Sequence, residues 1–358
     1  MHNILSLDGG GTRGIFSLQI LERMETLLRE KYGKPDLVLA DHFDYIGGTS
    51  TGAIIAAALS WGASVEVIEN FYLDQSRRVF GRKTWMSRLR SKYHAAELSG
   101  LLEKFFSEDG KPALLGTKKL RTRYLCVMRN ATTGAPWVIT NNPNAKYNDP
   151  SLPDNNLLIP LSQLIRASTA APLFFRPELI SQGGASWMFM DGAITPYNNP
   201  AFIMYLTATL PCYGNRWEDG EDKMRVISVG TGRVRERFKK LLVAHINVFD
   251  QVKHSVNALI DSNNQHQDLS CRVLGRCLFG EPLDTEIDTL IPDETNAASR
   301  LPRRFLYCRY NHNLTAAEVA EAAHIENFFS VDNLEAIQFL KTLGRRFAGE
   351  NVKLEHLA

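Results

Sequence analysis

The sequence predicts an α/β fold, with a central, mostly parallel sheet flanked by helices and a mainly helical C-terminal region. Two observations carry this. Twice near the start of the chain a short apolar run ends in a glycine-rich turn and opens a helix-periodic segment. Such strand–turn–helix units in succession build parallel sheets, because the helix returns the chain to the same edge. The 358 residues, 44% hydrophobic and 22% charged, supply a sizeable core.

The first strand is the apolar run Ile4 to Leu7, which ends in Asp8-Gly9-Gly10-Gly11. Ile15, Leu18, Leu21 and Met24 then recur at helical spacing, and Gly33 and Pro35 stop that helix. Phe43 to Gly47 is a second buried strand, turning through Gly48-Thr49-Ser50-Thr51-Gly52 into an alanine-rich helix from Ala53. Tyr124 to Met128 reads as a strand, 141–156 as a polar loop, and Leu161 to Ala171 as a helix stopped by Pro172. Trp187 to Met190 is a strand delivering Asp191-Gly192-Ala193, and Pro200 opens an apolar helix. Arg225 to Val229 is a strand ending in Gly230-Thr231-Gly232. From about residue 240 the pattern is mainly helical, with a loop near 280–302. The expected organisation is a catalytic core over 1–235 and a helical extension over 236–358 packed on it, as one domain or two.

A net charge of +2 gives no argument for DNA or RNA as a partner. The five cysteines are scattered and form no CxxC pair, the pattern of reduced thiols in a cytosolic protein. Cys271 and Cys277 have no nearby His or Cys set to complete a metal site. The N-terminus enters a strand at once, without a secretory signal, and no apolar run approaches the ~18 residues that span a bilayer. A membrane would therefore be visited rather than spanned, with the protein cytoplasmic and peripheral at its inner face.

Four motifs carry chemistry. Gly48-x-Ser50-x-Gly52, between a buried strand and an alanine-rich helix, is a nucleophile elbow. Small neighbours let the serine sit in a sharp turn at a helix N-terminus, where developing negative charge is favoured. Asp8-Gly9-Gly10-Gly11-Thr12-Arg13-Gly14 reads in two ways. Its amides can form an anion nest for an oxyanion, or Gly9-x-Gly11-x-x-Gly14 can cradle a dinucleotide. The second reading needs an acid ending the second strand, and here that strand ends in Gly47-Gly48-Thr49-Ser50. Asp191-Gly192-Ala193 puts a carboxylate at a strand end, at the edge of a parallel sheet that the other two motifs share. Taken alone it is an Asp-Gly turn. Ala167 to Phe175, small residues ending in Pro172 before two phenylalanines, is either close packing against the site or a helix ending at proline.

In this order and spacing the four motifs resemble the patatin-like phospholipases, over Asn3 to Gly62 and Arg166 to Gly232. The resemblance implies a patatin-like three-layer fold and a serine lipid acyl hydrolase of phospholipase A type acting on membrane phospholipid. Ser50 would be the nucleophile and Asp191 its base. The Gly10 and Gly11 amides, near Arg13, would hold the oxyanion. Gly9, Gly14, Gly48, Gly52, Gly192, Ala193 and Pro172 would shape the turns, with Ala193 an accepted variant of the family's third Asp-motif position. Such a dyad needs no histidine, and none of the nine sits in a recognisable catalytic motif; His245 and His254 fall on an expected helix. It also needs no cofactor and no metal. Asp191 must accept the serine proton itself, so burial that raises its pKa would help.

Two further expectations concern membrane and control. The segment 75–96 carries Arg77, Arg78, Arg82, Lys83, Arg88, Arg90 and Lys92 with interleaved Val79, Phe80, Trp85, Met86 and Leu89, which suits an anionic bilayer or a solvated basic helix equally. Residues 265–275 and 280–287 look like the C-terminal part of bacterial patatin-like proteins, some of which are anti-phage effectors switched on by a cyclic dinucleotide. That makes a cyclic dinucleotide the candidate activator, acting through a lid or by assembling protomers into a homo-oligomer. Arg233, Arg235, Arg237, Arg272 and Arg276 are the arginines available for its phosphates.

Overall fold

The structure, a computed structural model, describes residues 1–80, 87–172, 174–233, 248–283, 302–325, 328 and 333–358. Arg82, Lys83, Trp85 and Met86 of the basic segment lie outside them, as do Leu173, Arg235, Arg237, His245 and 284–287.

In chain order the elements are β1 (His2–Leu7), α1 (Gly14–Tyr32), β2 (Tyr45–Thr49), α2 (Thr51–Ser60), α3 (Val65–Phe80) and α4 (Ser87–Phe105). The short hairpin β3 (Ser107–Glu108) and β4 (Lys111–Pro112) precedes β5 (Arg123–Asn130), β6 (Pro136–Thr140) and α5 (Leu161–Ser168). Then come β7 (Glu178–Gln182), β8 (Ala185–Asp191), α6 (Ala201–Thr209) and β9 (Met224–Val229). The C-terminal region contributes α7 (Val248–Leu274), β10 (Arg276–Phe279), β11 (Leu306–Tyr310), α8 (Ala316–Glu321) and α9 (Ala336–Asn351).

Among the described residues nine strands form one sheet, in the order β10-β11-β9-β1-β2-β5-β8-β7, with β6 also on β5. The six from β10 to β5 are parallel, whereas β6, β7 and β8 join antiparallel. Alternation along each strand splits the core into two layers. Leu5, Ile46, Cys126, Ile227 and Cys308 face a cluster that includes α1, α2, α5 and α9 residues. Ile4, Tyr45, Leu125, Val226 and Tyr307 face α6 and Cys271 of α7. Strands buried on both faces read as unbroken apolar runs, which is how β1 and β2 announce themselves in the sequence.

Two elements differ from the sequence reading, and the loop it expected is firmly anchored. The helix expected to run to Ala171 ends at Ser168, because the side chain of Thr169 turns back to the Arg166 carbonyl and Asp191 N takes the Ala170 carbonyl. The polar loop over 141–156 is anchored by buried Asn142, Asn148 and Asn155, whose side chains bond main-chain groups within the loop and at Thr140, Leu157 and Tyr213. The C-terminal region is mainly helical, but it also adds two strands, β10 and β11, to the sheet beside β9.

Candidate active site

The site is built where two strands meet end to end. On one side of β5, β2 pairs up to Thr49 opposite Val127, and β8 ends with Asp191 opposite Met128. On the other side Val127 and Met128 face Val138 and Trp137 of β6. A strand residue has only two lateral neighbours, so β8 takes up the side of β5 that β2 leaves. The two strands run toward each other and bring Ser50 and Asp191 together. Asp191 thus reaches the expected edge of the sheet, but on an antiparallel strand rather than a parallel one. Gly192 fills the join: a Cβ there would lie 2.3 Å from the Val127 carbonyl and 2.8 Å from Thr49 Cγ2.

Ser50 turns from β2 into α2 with φ 54° and ψ −124°, a region non-glycine residues rarely occupy. Its neighbours leave room for nothing larger. A Cβ on Gly48 would lie 2.2 Å from the Gly52 carbonyl, and one on Gly52 2.3 Å from the Leu7 carbonyl. The strained amide is held by Ser168: Ser50 N–H donates to Ser168 Oγ at 2.8 Å, and Ser168 Oγ donates to the Val127 carbonyl at 2.6 Å. Ser50 Oγ donates to Asp191 Oδ2 at 2.8 Å, while Asp191 Oδ1 accepts from Ala193 N at 2.7 Å. Burial pushes the Asp191 pKa up to about 6, against the pull of the Ala193 amide, the Ser50 hydroxyl and the Arg166 guanidinium.

The glycine loop passes over the serine; a Cβ on Gly9 would come 3.3 Å from Ser50 Cβ. Each of its carbonyls is held. Gly9 O accepts from Asn198 Nδ2 at 3.4 Å, and Gly10 O from Arg13 N at 3.2 Å and Arg13 Nε at 3.3 Å. Gly11 O accepts from Thr51 Oγ1 at 3.0 Å and from Tyr72 OH. In a trans peptide the next N–H points away from the carbonyl. Holding the carbonyls of Gly9 and Gly10 therefore sets the direction of the Gly10 and Gly11 amides, neither of which has a backbone acceptor among the described residues. Gly14 lets the turn close on α2, since a Cβ there would meet Thr51 Cγ2 at 2.2 Å.

Of the residues expected at the site, Ser50, Asp191, Ala193, Gly9, Gly10, Gly11, Gly14, Gly48, Gly52 and Gly192 come together. Arg13 is bonded back onto the loop, and Pro172 is half-buried in the turn beyond α5. The sequence reading missed Ser168, Asn198, Thr51 and Tyr72. Ser168 sat inside a singled-out motif, but as a small residue; Asn198 sat in a turn before Pro200. Among the described residues no histidine bonds Ser50 or Asp191; His312 is held between Glu281 and Glu318, both at 2.8 Å. No group of three His, Cys, Asp or Glu among the described residues is placed to hold a metal. Of the arginines considered for phosphate contacts, Arg233 pairs with Asp261, Arg272 with Asp268 and Arg276 with Glu221.

Several known proteins are similar to this chain. A cGAMP-activated phospholipase of Escherichia coli (strain TW11681) is 28% identical over 207 residues, 56% of this chain and 54% of that protein. Patatin-17 of Solanum cardiophyllum is 30% identical over 254 residues, 66% of this chain and 62% of its own. A cUMP-AMP-activated phospholipase of Escherichia coli is 28% identical over 230 residues, 64% of each. The chain therefore spans between about half and two thirds of the length of these relatives. Over residues 5–205, more than half its length, the chain matches the patatin-like phospholipase family, and it belongs to that family.

Proposed function

We propose that this protein is a serine lipid acyl hydrolase of phospholipase A type, working through a Ser50–Asp191 dyad and an acyl-enzyme. The observation that carries the reading is the 2.8 Å hydrogen bond from Ser50 Oγ to the buried Asp191 carboxylate. Ser50 Oγ attacks the ester carbonyl carbon as its proton passes to Asp191 Oδ2. The carbonyl oxygen becomes an oxyanion, accepting hydrogen bonds from the Gly10 and Gly11 amides, with the α2 N-terminus nearby. Collapse breaks the ester C–O bond, and the leaving alcohol takes the proton from Asp191. Water, deprotonated by Asp191, then attacks the acyl carbon; the bond to Ser50 Oγ breaks, Asp191 returns the proton to Ser50 Oγ, and the fatty acid leaves. A carboxylate pKa near 6 keeps the base ionised at neutral pH while making it stronger than an exposed aspartate.

The substrate is a membrane phospholipid, met from the cytosolic side by peripheral contact. One sheet face supports this. The β7–β8 hairpin projects beyond Asn130, the last residue of β5, past the edge that carries Ser50. Directly paired residues share a face, so Leu179, Met188, Met190 and Arg129 lie together. Leu179 is 58% and Met188 43% exposed, on a solvated face that is ordinarily polar in antiparallel sheets. Arg129 and exposed Arg176 complement anionic head groups. The chemistry lies within 1–235, and the described residues of 236–358 pack against it. By analogy with the cGAMP- and cUMP-AMP-activated relatives, a cyclic dinucleotide is the activator, in anti-phage defence.

Ser50→Ala and Asp191→Asn should each lower hydrolysis of a short-chain ester by roughly 10⁴-fold or more, with the double variant little worse than either. A fluorophosphonate should label wild type and spare Ser50→Ala. Full activity in Asp191→Asn would eliminate the dyad.

The pKa of Asp191 predicts opposite effects on rate and stability. Activity needs the ionised form, so kcat/KM should rise with pH through about 6. The folded-state pKa lies above the unfolded value, so ionised Asp191 destabilises the fold above pH 6, and the penalty vanishes below the unfolded pKa. Asp191→Asn should therefore be more stable than wild type at pH 7, by about 1–3 kcal/mol in denaturant melts, and lose that advantage near pH 4. A pH-independent difference would contradict this.

Leu179→Glu with Met188→Glu should weaken binding to phosphatidylglycerol-containing vesicles by about tenfold or more, while sparing hydrolysis of the soluble ester. Unchanged vesicle binding would remove this face from consideration. Turnover on vesicles should rise on adding one member of a panel of cyclic di- and trinucleotides. Full turnover without any of them, and no calorimetric binding at micromolar concentration, would dismiss the activator.

A further inference from the structure

Asp8 opens the glycine loop, and its carboxylate is bound by a residue 301 positions further along the chain. That residue, Arg309 of β11, lies outside the segment 5–205 that matches the family. β11 is not a neighbour of β1; β9 runs between them. Register places Arg309 beside Ser228 of β9 and Ser228 beside Ser6 of β1. The guanidinium reaches across β9 over the small Ser228. Nη1 donates to Ser228 Oγ and to Asp8 Oδ1, both at 2.8 Å, and Nη2 donates to Asp8 Oδ2 at 2.6 Å. Arg309 is 3% and Asp8 4% exposed. The Asp8 amide also donates to the Val229 carbonyl at 3.0 Å, so side chain and main chain are both pinned where the loop begins. α7 adds a second hold. Asn264 Oδ1 accepts from Asn198 Nδ2 at 3.1 Å, and the Asn198 carbonyl accepts from Gly9 N at 3.1 Å.

We propose that Arg309 is a positioning residue for the reaction, holding Asp8 and thereby aiming the Gly10 and Gly11 amides at the oxyanion formed on Ser50. Geometry and charge act in the same direction. The bidentate fork fixes the carboxylate's orientation as a lysine could not. It also neutralises a buried negative charge that would otherwise oppose the oxyanion across a few residues. The inference rests on the Ser50–Asp191 reading given above.

The test compares wild type with Arg309→Met, Arg309→Lys and the double variant Asp8→Asn/Arg309→Met, on a soluble short-chain ester and a fluorophosphonate. Removing one partner leaves a buried unpaired charge, so Arg309→Met can fail to fold; the double variant leaves none and keeps the test open. Arg309→Met, where folded by circular dichroism, and the double variant should each lose roughly 100-fold in kcat with KM little changed. Both should also slow fluorophosphonate labelling by a similar factor. Arg309→Lys should fall between them and wild type. A folded double variant with kcat and labelling rate within about twofold of wild type would overturn the proposal, as would loss confined to KM. Ser50→Ala keeps the two readings apart. If it remains active and labelled, the dyad reading fails; if it is dead while the double variant matches wild type, only the role of Arg309 fails.

Discussion

Everything at the site depends on β5, one side of which is shared by two strands running at each other. β2 stops at Thr49 and β8 at Asp191, on consecutive β5 residues. A strand pair normally sets groups side by side; here it sets two strand ends face to face. The Ser50–Asp191 contact is therefore held by ladder hydrogen bonds rather than by flexible loops. In the proposed dyad that rigidity takes the place of the third member of a serine–histidine–acid arrangement, whose intermediate imidazole spans a longer gap. With no imidazole between them, serine and carboxylate must approach to hydrogen-bond distance, and the head-on strands provide that approach.

The arrangement carries costs that neighbouring groups offset. A non-glycine residue at φ 54° costs about 1–3 kcal/mol, and the turn directs the Ser50 amide into the protein. A buried N–H without an acceptor would add a further cost. Ser168 supplies that acceptor and passes its own hydrogen to Val127, on the strand that β2 and β8 share. One hydroxyl thus links the Ser50 main chain to the strand against which Asp191 ends. Asp191 shows the same logic in electrostatic form. Its burial destabilises the ionised fold and, by the same energy, strengthens the carboxylate as a base.

Much of this was legible in the sequence, for physical reasons. β1 and β2 are buried on both faces and read as apolar runs. Gly48, Gly52, Gly9 and Gly14 stand where backbone approaches backbone or side chain so closely that a Cβ would collide. Ser50 and Asp191 were recognisable because of those surroundings. The residues that were missed act through one or two hydrogen bonds, mostly to main chain. Ser168 is a serine among small residues, and Asn198 a polar residue before a helix; neither type nor spacing tells which carbonyl or amide it will meet. The direction of β8 was illegible too, because a seven-residue strand reads alike in both senses.

The C-terminal strands were missed for a related reason, and the miss conceals how the chain is joined. Arg276 to Phe279 and Leu306 to Tyr310 are short and contain arginine, so they lack the uniform apolar signature of β1. Arginine inside a strand ordinarily signals a solvated face. Arg309 is instead buried, and a buried cation is costly unless it is paired or hydrogen-bonded. Asp8 meets that need at the head of the glycine loop. A chain ending near residue 232 would leave Asp8 without its counter-charge. It would also make β9 an edge strand, exposing on the side that pairs with β11 a row of unsatisfied N–H and C=O groups. The extension's strands thus continue, through β9, the sheet whose β1 leads into the glycine loop.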